Sequence, residues 1–328
     1  MRTFLLFAIS IFNVLVLKAQ FAPQVGIDGH TGIYKDSTVF VNWATACTLE
    51  RGFQNIANPS LGLASVGDEN SPIGKVTGAV LSLGDGGQAT LTFEYPIYND
   101  KGADFAIFEN GFLESNGSER AFLELAFVEV SSDGSHFVRF PAVSNVENAV
   151  QIAGFANINA REIHNFAGKY ISNYGTPFDL EDLKFEEGLD VNHITHVRII
   201  DVVGSIDPMY ASYDSQGNIV NDPFPTPFSS SGFDLTGVGV IHQKTPTSTQ
   251  EKTKQVEVYP NPAKDFIEIN MPHNETYTIQ FYNLFGQNVL NKNIQNQQKI
   301  DISTLAAGSY IGIIKGADYT NTFRWMKQ

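Results

Sequence analysis

The sequence predicts an all-β protein: a jelly-roll β-sandwich body followed by a second, small β-sandwich at the C-terminus. Three observations carry this reading. Apolar and polar residues alternate with a period of two in several stretches. Turn dipeptides recur at Asp28-Gly29, Asp85-Gly86, Asn110-Gly111, Asn116-Gly117 and Asp133-Gly134. Helical periodicity is weak, so only short helical turns are expected, around Leu180 to Glu187. Short strands punctuated by frequent turns favour a sandwich over a helical or α/β fold.

Residues 1–19 read as a secretory signal peptide. Arg2 supplies a positive start, Phe4 to Leu17 an apolar run broken by Ser10 and Asn13, and Ala19 a small residue at the cleavage point. The run is too short for a spanning helix, which needs roughly 20 apolar residues, and no second such stretch follows. No transmembrane segment is therefore expected.

Residues 20–241 form the body. In Gln88 to Tyr95, Ala89, Leu91, Phe93 and Tyr95 share one face, and Thr90, Thr92 and Glu94 the other. Ala121 to Val130 (AFLELAFVEV) is apolar on both faces apart from two glutamates, as a central strand would be. Ser131 to Gly134 is a turn, after which Phe137 to Phe140 resumes the sheet as a hairpin. His196 to Val203 is a further strand. Trp43 is expected in the core, and Cys47 as a small buried hydrophobe. A single cysteine excludes both a disulfide framework and a CxxC zinc site.

Residues 242–255 (HQKTPTSTQEKTKQ) are polar throughout and read as a linker. Beyond it, residues 256–328 carry Tyr259-Pro-Asn-Pro262, Asn283-Leu-Phe-Gly286, Leu305 to Tyr310 (LAAGSY) and a basic residue beside the C-terminus. Together these resemble the type A C-terminal sorting domain of the type IX secretion system of Bacteroidota. The resemblance covers the whole tail. It implies docking on the outer-membrane export machinery, and hence a secreted or outer-membrane surface protein on the extracellular side.

Charge divides unevenly. The chain holds 21 Lys and Arg against 35 Asp and Glu, a net charge of −14. The tail is neutral, with six of each sign, so residues 20–255 hold 13 basic against 29 acidic residues. That balance argues against nucleic-acid binding, which needs clustered Lys and Arg. The densest acidic stretch is Asp201 to Asp234. Within it Asp207, Asp214, Asn218 and Asp222 place oxygen ligands at short intervals on loop-like sequence, and Asp104, Glu109 and Asn110 form a second cluster. A Ca²⁺ ion takes six to eight oxygens on such loops, so a structural Ca²⁺ is expected. The spacing departs from an EF-hand, with no helix pair and no glutamate at the twelfth position.

Catalytic motifs are sparse: there is no HExxH, GxSxG or phosphate loop. Tyr210, Tyr213, Phe224 and Phe228 lie in the acidic loop region and suit a ligand platform. Phe122 to Pro141 (FLELAFVEVSSDGSHFVRFP) resembles the central hairpin of galactose-binding-like sandwiches of the discoidin and carbohydrate-binding-module type. That resemblance bears on fold more than on function. The leading expectation is a non-enzymatic surface protein binding a glycan or another nutrient ligand. Two alternatives remain: capture of a corrinoid for an outer-membrane transporter, and a glycan-active hydrolase using paired carboxylates among Glu109, Glu124 and Glu129. A structural matrix or adhesion protein is a third class.

Overall fold

A computed structural model describes residues 20–244, 257–270, 276–295, 299–316 and 320–328. The signal peptide and most of the linker lie outside the described residues. The chain divides into two compact units, Met1–Thr245 and Pro246–Gln328.

The first unit opens with β1 (Ile33–Tyr34), β2 (Asn42–Trp43), β3 (Ala46–Glu50), β4 (Leu81–Ser82), β5 (Gln88–Ile97) and β6 (Phe105–Phe108). Next come β7 (Phe112–Leu113), β8 (Arg120–Phe122), β9 (Ala126–Ser131), β10 (Val138–Arg139), β11 (Val143–Ser144) and β12 (Ile158–Asn159). It closes with β13 (Ile163–His164), β14 (Tyr174–Phe178), β15 (Ile194–Asp201), β16 (Asp234–Leu235) and β17 (Gly237–Val240). Helical structure among the described residues is limited to short 3₁₀ turns. One of these, Leu180–Leu183, is capped by the Asp179 carboxylate on the Glu181 N–H.

Two five-stranded sheets form the sandwich, in the orders β1-β14-β6-β17-β2 and β10-β9-β15-β5-β3. Strands β2, β6, β14 and β17 fall in the first, and β5, β9, β10 and β15 in the second. The chain thus crosses between sheets along the eight-strand path of a jelly roll, with β1 and β3 added at the edges. All pairings within these two sheets are antiparallel.

The pleat explains the core. On β5, Ala89 and Leu91 point inward and are fully buried; on β15 Val197 and Ile199 do the same, and on β9 Val128 and Val130. They meet Phe105, Ile107, Phe178, Val238 and Val240 of the facing sheet. Phe105 and Phe178 stack at 5.4 Å between centroids. Full burial of each large side chain is worth roughly 1.5–3 kcal/mol. Outward-facing Phe127 joins a second apolar cluster with Leu123, Leu125, Phe166 and Val220.

Four sequence expectations shift. The run Ala121 to Val130 is not one strand: it breaks between β8 and β9, which lie in different sheets. The Leu125 carbonyl still accepts from Val202 N–H at 3.0 Å, in register with β9 and β15, but the Leu125 N–H leaves the ladder for the Asp222 carboxylate at 2.8 Å. Cys47 is only partly buried against the main core, although burial pushes its thiol up to about 12. Trp43, also partly buried, packs on Phe40 and Phe108 at 5.1 and 5.6 Å. The body also extends past residue 241, because His242 Nδ1 sits 2.7 Å from Asp104 Oδ1 and Lys244 N–H bonds the Pro96 carbonyl.

The second unit contains β18 (Glu257–Tyr259), β19 (Phe266–Asn270), β20 (Tyr277–Asn283), β21 (Asn288–Ile294), β22 (Lys299–Asp301), β23 (Gly308–Lys315) and β24 (Thr320–Lys327). They form a three-stranded sheet, β18-β19-β22, and a four-stranded one, β21-β20-β23-β24, around a core that includes Ile267, Ile279, Phe281, Ile314 and Trp325. Tyr310 stacks on Trp325 at 4.9 Å. Asn283 Oδ1 accepts from Phe285 and Gln287 N–H, closing the turn expected at Asn283 to Gly286.

Candidate functional site

The break between β8 and β9 has a chemical consequence. It leaves Glu124 on irregular backbone, only 6% exposed, where no protein group among the described residues donates to its carboxylate. Five other carboxylates gather around it, each at the end of a strand or in a loop that the sandwich holds inward.

Glu109 follows β6 and is 1% exposed. Its Oε2 accepts from Gly111 N–H at 2.7 Å, while Oε1 is buried without a partner. Glycine is needed at 111, because a Cβ would lie 2.7 Å from the Phe122 carbonyl and 2.8 Å from Glu109 Oε2. Asp222 is 3% exposed; the Leu125 N–H serves Oδ2, and Oδ1 has no partner. Asp234 begins β16, accepting from Ser82 Oγ and from Asn110 Nδ2, the latter at 2.8 Å. Asp201 ends β15 and accepts from Phe233 and Gly86 N–H at 2.7 and 2.9 Å. Gly232, at φ +70°, makes room for it, since a Cβ there would lie 2.7 Å from Asp201 Oδ1. Asp85 accepts from Ile56 N–H at 2.8 Å and Ser231 Oγ at 3.3 Å.

Burial raises every one of these groups. It pushes Asp85 and Asp234 up to about 6. Glu109, Glu124, Asp201 and Asp222 stand well above the usual carboxylate range, through burial first and then the negative charge of neighbours in the same set. The leading charges that raise these four groups are carboxylates.

Above two members of the set opens a cleft of about 340 Å³. Glu124 and Asp234 line it together with Phe112, Phe122, Phe155 and Phe228. The rings form a continuous row, with centroids 5.1 Å apart for Phe112–Phe122, 5.9 Å for Phe122–Phe155 and 5.5 Å for Phe155–Phe228. Phe112, Phe155 and Phe228 are 55%, 68% and 46% exposed, which is unusual for adjacent apolar rings.

The four aromatics expected as a platform do not converge. Phe228 lines the cleft. Phe224 is buried, its N–H on the Ile152 carbonyl. Tyr213 borders a different depression of about 220 Å³ beside Phe127 and Arg139. Tyr210 sits partly exposed on a turn held by the Asp207 carbonyl.

The expected metal ligands also separate. Asp214 closes its own loop: Oδ1 accepts from Gln216 and Asn218 N–H, and Oδ2 from Ser144 N–H and Asn218 Nδ2. Asp207 accepts from Met209 N–H. Asp104 is satisfied by His242 and by the Asp100 and Leu180 N–H groups. Glu109, Asn110 and Asp222, drawn from two separate sequence clusters, instead meet in the carboxylate set. Among the described residues, no three His, Cys, Asp or Glu side chains are placed to close on a metal ion.

Asp201 and Asp234 bound the acidic stretch in the sequence but are not among the expected ligands, and Asp85 lies outside it. A usable signal exists: Phe108-Glu109, Leu123-Glu124 and Phe233-Asp234 each set an acid directly behind a buried apolar residue, and Asp201 follows the partly buried Ile200. Glu129, the third hydrolase candidate, is locked between Arg139 (2.8 Å) and Arg198.

Residues 257–328 match the family of secretion system C-terminal sorting domains. The tail is therefore a type IX sorting domain, which marks the chain for export to the outer-membrane surface or the medium. No helix among the described residues is long and apolar enough to cross a membrane. No curated protein matches the chain. Solved structures similar to it include a biofilm-associated protein BSP domain, with 11% identity over 89% of this chain and 53% of that one and a TM-score of 0.19. A Ruminococcus gnavus β-glucuronidase is also similar, at 9% identity over 94% and 45% with a TM-score of 0.22. A Parabacteroides merdae β-glucuronidase shows 10% identity over 89% and 35%, again at 0.22. The chain spans about half or less of the length of these structures, and the likeness is too slight to carry an argument.

Proposed function

We propose that the exported body is a non-enzymatic binding module that takes a sugar unit of a glycan in the phenylalanine cleft. The observation that supports this is the row of exposed rings above Glu124 and Asp234. Aromatic faces stack on the C–H faces of a sugar, and carboxylates accept from its hydroxyls. The cleft is sized for one or two sugar rings rather than for a corrinoid macrocycle. A glycan array probed with residues 20–328 tests the reading. Phe155→Ala and Phe228→Ala should weaken capture at least tenfold while leaving the melting temperature unchanged. Absence of any captured glycan, or capture indifferent to both substitutions, contradicts it. Turnover of a glycoside that is lost in Glu124→Gln would replace binding with hydrolysis.

A further inference from the structure

We propose that Glu109, Asp222, Glu124 and Asp234 together hold one divalent cation, Ca²⁺ by their chemistry, beneath the phenylalanine cleft. The inference is independent of what the cleft binds.

The geometry links the four. Asp234 is bonded through Oδ2 to Asn110, the neighbour of Glu109, and Asp222 through Oδ2 to Leu125, the neighbour of Glu124. Glu124 and Asp234 line the same cleft floor. The decisive observation is what these bonds leave over. Glu109 Oε1 and Asp222 Oδ1 lie on side chains 1% and 3% exposed and have no partner, and no described protein group donates to the Glu124 carboxylate. A buried unpartnered carboxylate oxygen opposes folding unless a cation or a proton answers it. Among the described residues no arginine, lysine or histidine is paired with any of the four, whereas Glu129, five residues beyond Glu124, has two guanidiniums.

The donor set selects the ion. It is all oxygen, without His or Cys, which disfavours zinc and the later transition metals. Four carboxylates can supply up to eight oxygens, which suits the high and flexible coordination number of Ca²⁺ better than Mg²⁺, which demands near-ideal octahedral geometry. Three carboxylates do not converge on one point among the described residues. Side-chain rotation about Glu109, Glu124 and Asp222, with Asn110 and backbone carbonyls, would complete the shell. An exported protein meets Ca²⁺ at concentrations where a dissociation constant of about 10⁻⁴–10⁻³ M suffices.

The experiment is calorimetric titration of chelator-stripped residues 20–328 with CaCl₂, against MgCl₂. The expected result is one Ca²⁺ per chain, tighter than Mg²⁺. Affinity should fall at least tenfold in Glu109→Gln and in Asp222→Asn and stay unchanged in Asp214→Asn. These amide changes keep shape and remove like charge, so folding is preserved; the stoichiometry and the preference over Mg²⁺ in the unsubstituted chain give a readout that needs no variant. Absence of Ca²⁺ binding overturns the proposal. So does binding lost in Asp214→Asn but not in the other two.

Discussion

The two units solve the same folding problem with different interiors. In the tail the buried side chains among the described residues are apolar, apart from Lys327 at 8% exposure. The body buries Asp85, Glu109, Glu124, Asp201, Asp222 and Asp234 beside a core of comparable chemistry. A sandwich therefore does not need interior charge, and the tail shows it. The body carries carboxylates whose burial opposes folding, so they are kept for something other than packing. The body itself repeats the lesson. Glu129 and Glu124 come from one apolar run, yet Glu129 bridges Arg139 and Arg198 while Glu124 faces the cleft without a donor.

The contrast can be tested from its strongest consequence downward. Deleting residues 256–328 should leave the whole body in the periplasm of its host, as read by cell fractionation. Export at the normal level would detach the tail from the sorting role. Next, Arg198→Met leaves Glu129 with one guanidinium and also removes the cation over the Phe137 ring at 3.8 Å. A loss of about 1–3 kcal/mol is expected in denaturant unfolding. No loss would mean that the paired and unpaired glutamates are energetically alike.

A third test uses pH without any divalent cation. Asp85 and Asp234 are held up to about 6, above their unfolded value of 3.8. Between these values the folded chain holds protons that the unfolded chain has lost. Stability then falls as pH rises from about 4 through about 6, and the stripped chain should unfold at higher temperature at pH 5 than at pH 7.5. A flat profile would show that the carboxylates are not desolvated. The smallest effect belongs to Asp214→Asn, whose loop bonds to Asp214 Oδ1 an amide oxygen can retain. A change within about 1 kcal/mol is expected by thermal melting.

Much of this fold is visible in the sequence because it is written in local patterns. The period-two alternation of Gln88 to Tyr95, the Ser131 to Gly134 turn and the tail motifs are all short-range signals. The site is less visible, since its members come from residues 85 to 234 and only the crossovers between sheets bring them together. The break after Phe122 was hidden for a related reason: Leu123 and Leu125 are as apolar as a strand requires, and what diverts them is a distant aspartate. The acidic Asp201 to Asp234 stretch supplies three of the six inward carboxylates. Its members part ways there, with Asp201, Asp222 and Asp234 turned inward and Asp207 and Asp214 spent on their own turns.

The most direct measurement is the melting temperature of Glu109→Gln against the unsubstituted chain, with and without Ca²⁺ at pH 7.5. The account predicts opposite signs. Without the ion, the amide removes a buried like charge and raises the melting temperature. With millimolar Ca²⁺, the unsubstituted chain gains stability and the variant does not. A substitution that lowers the melting temperature equally in both conditions would contradict the account, because Glu109 would then be a packing residue like those of the tail.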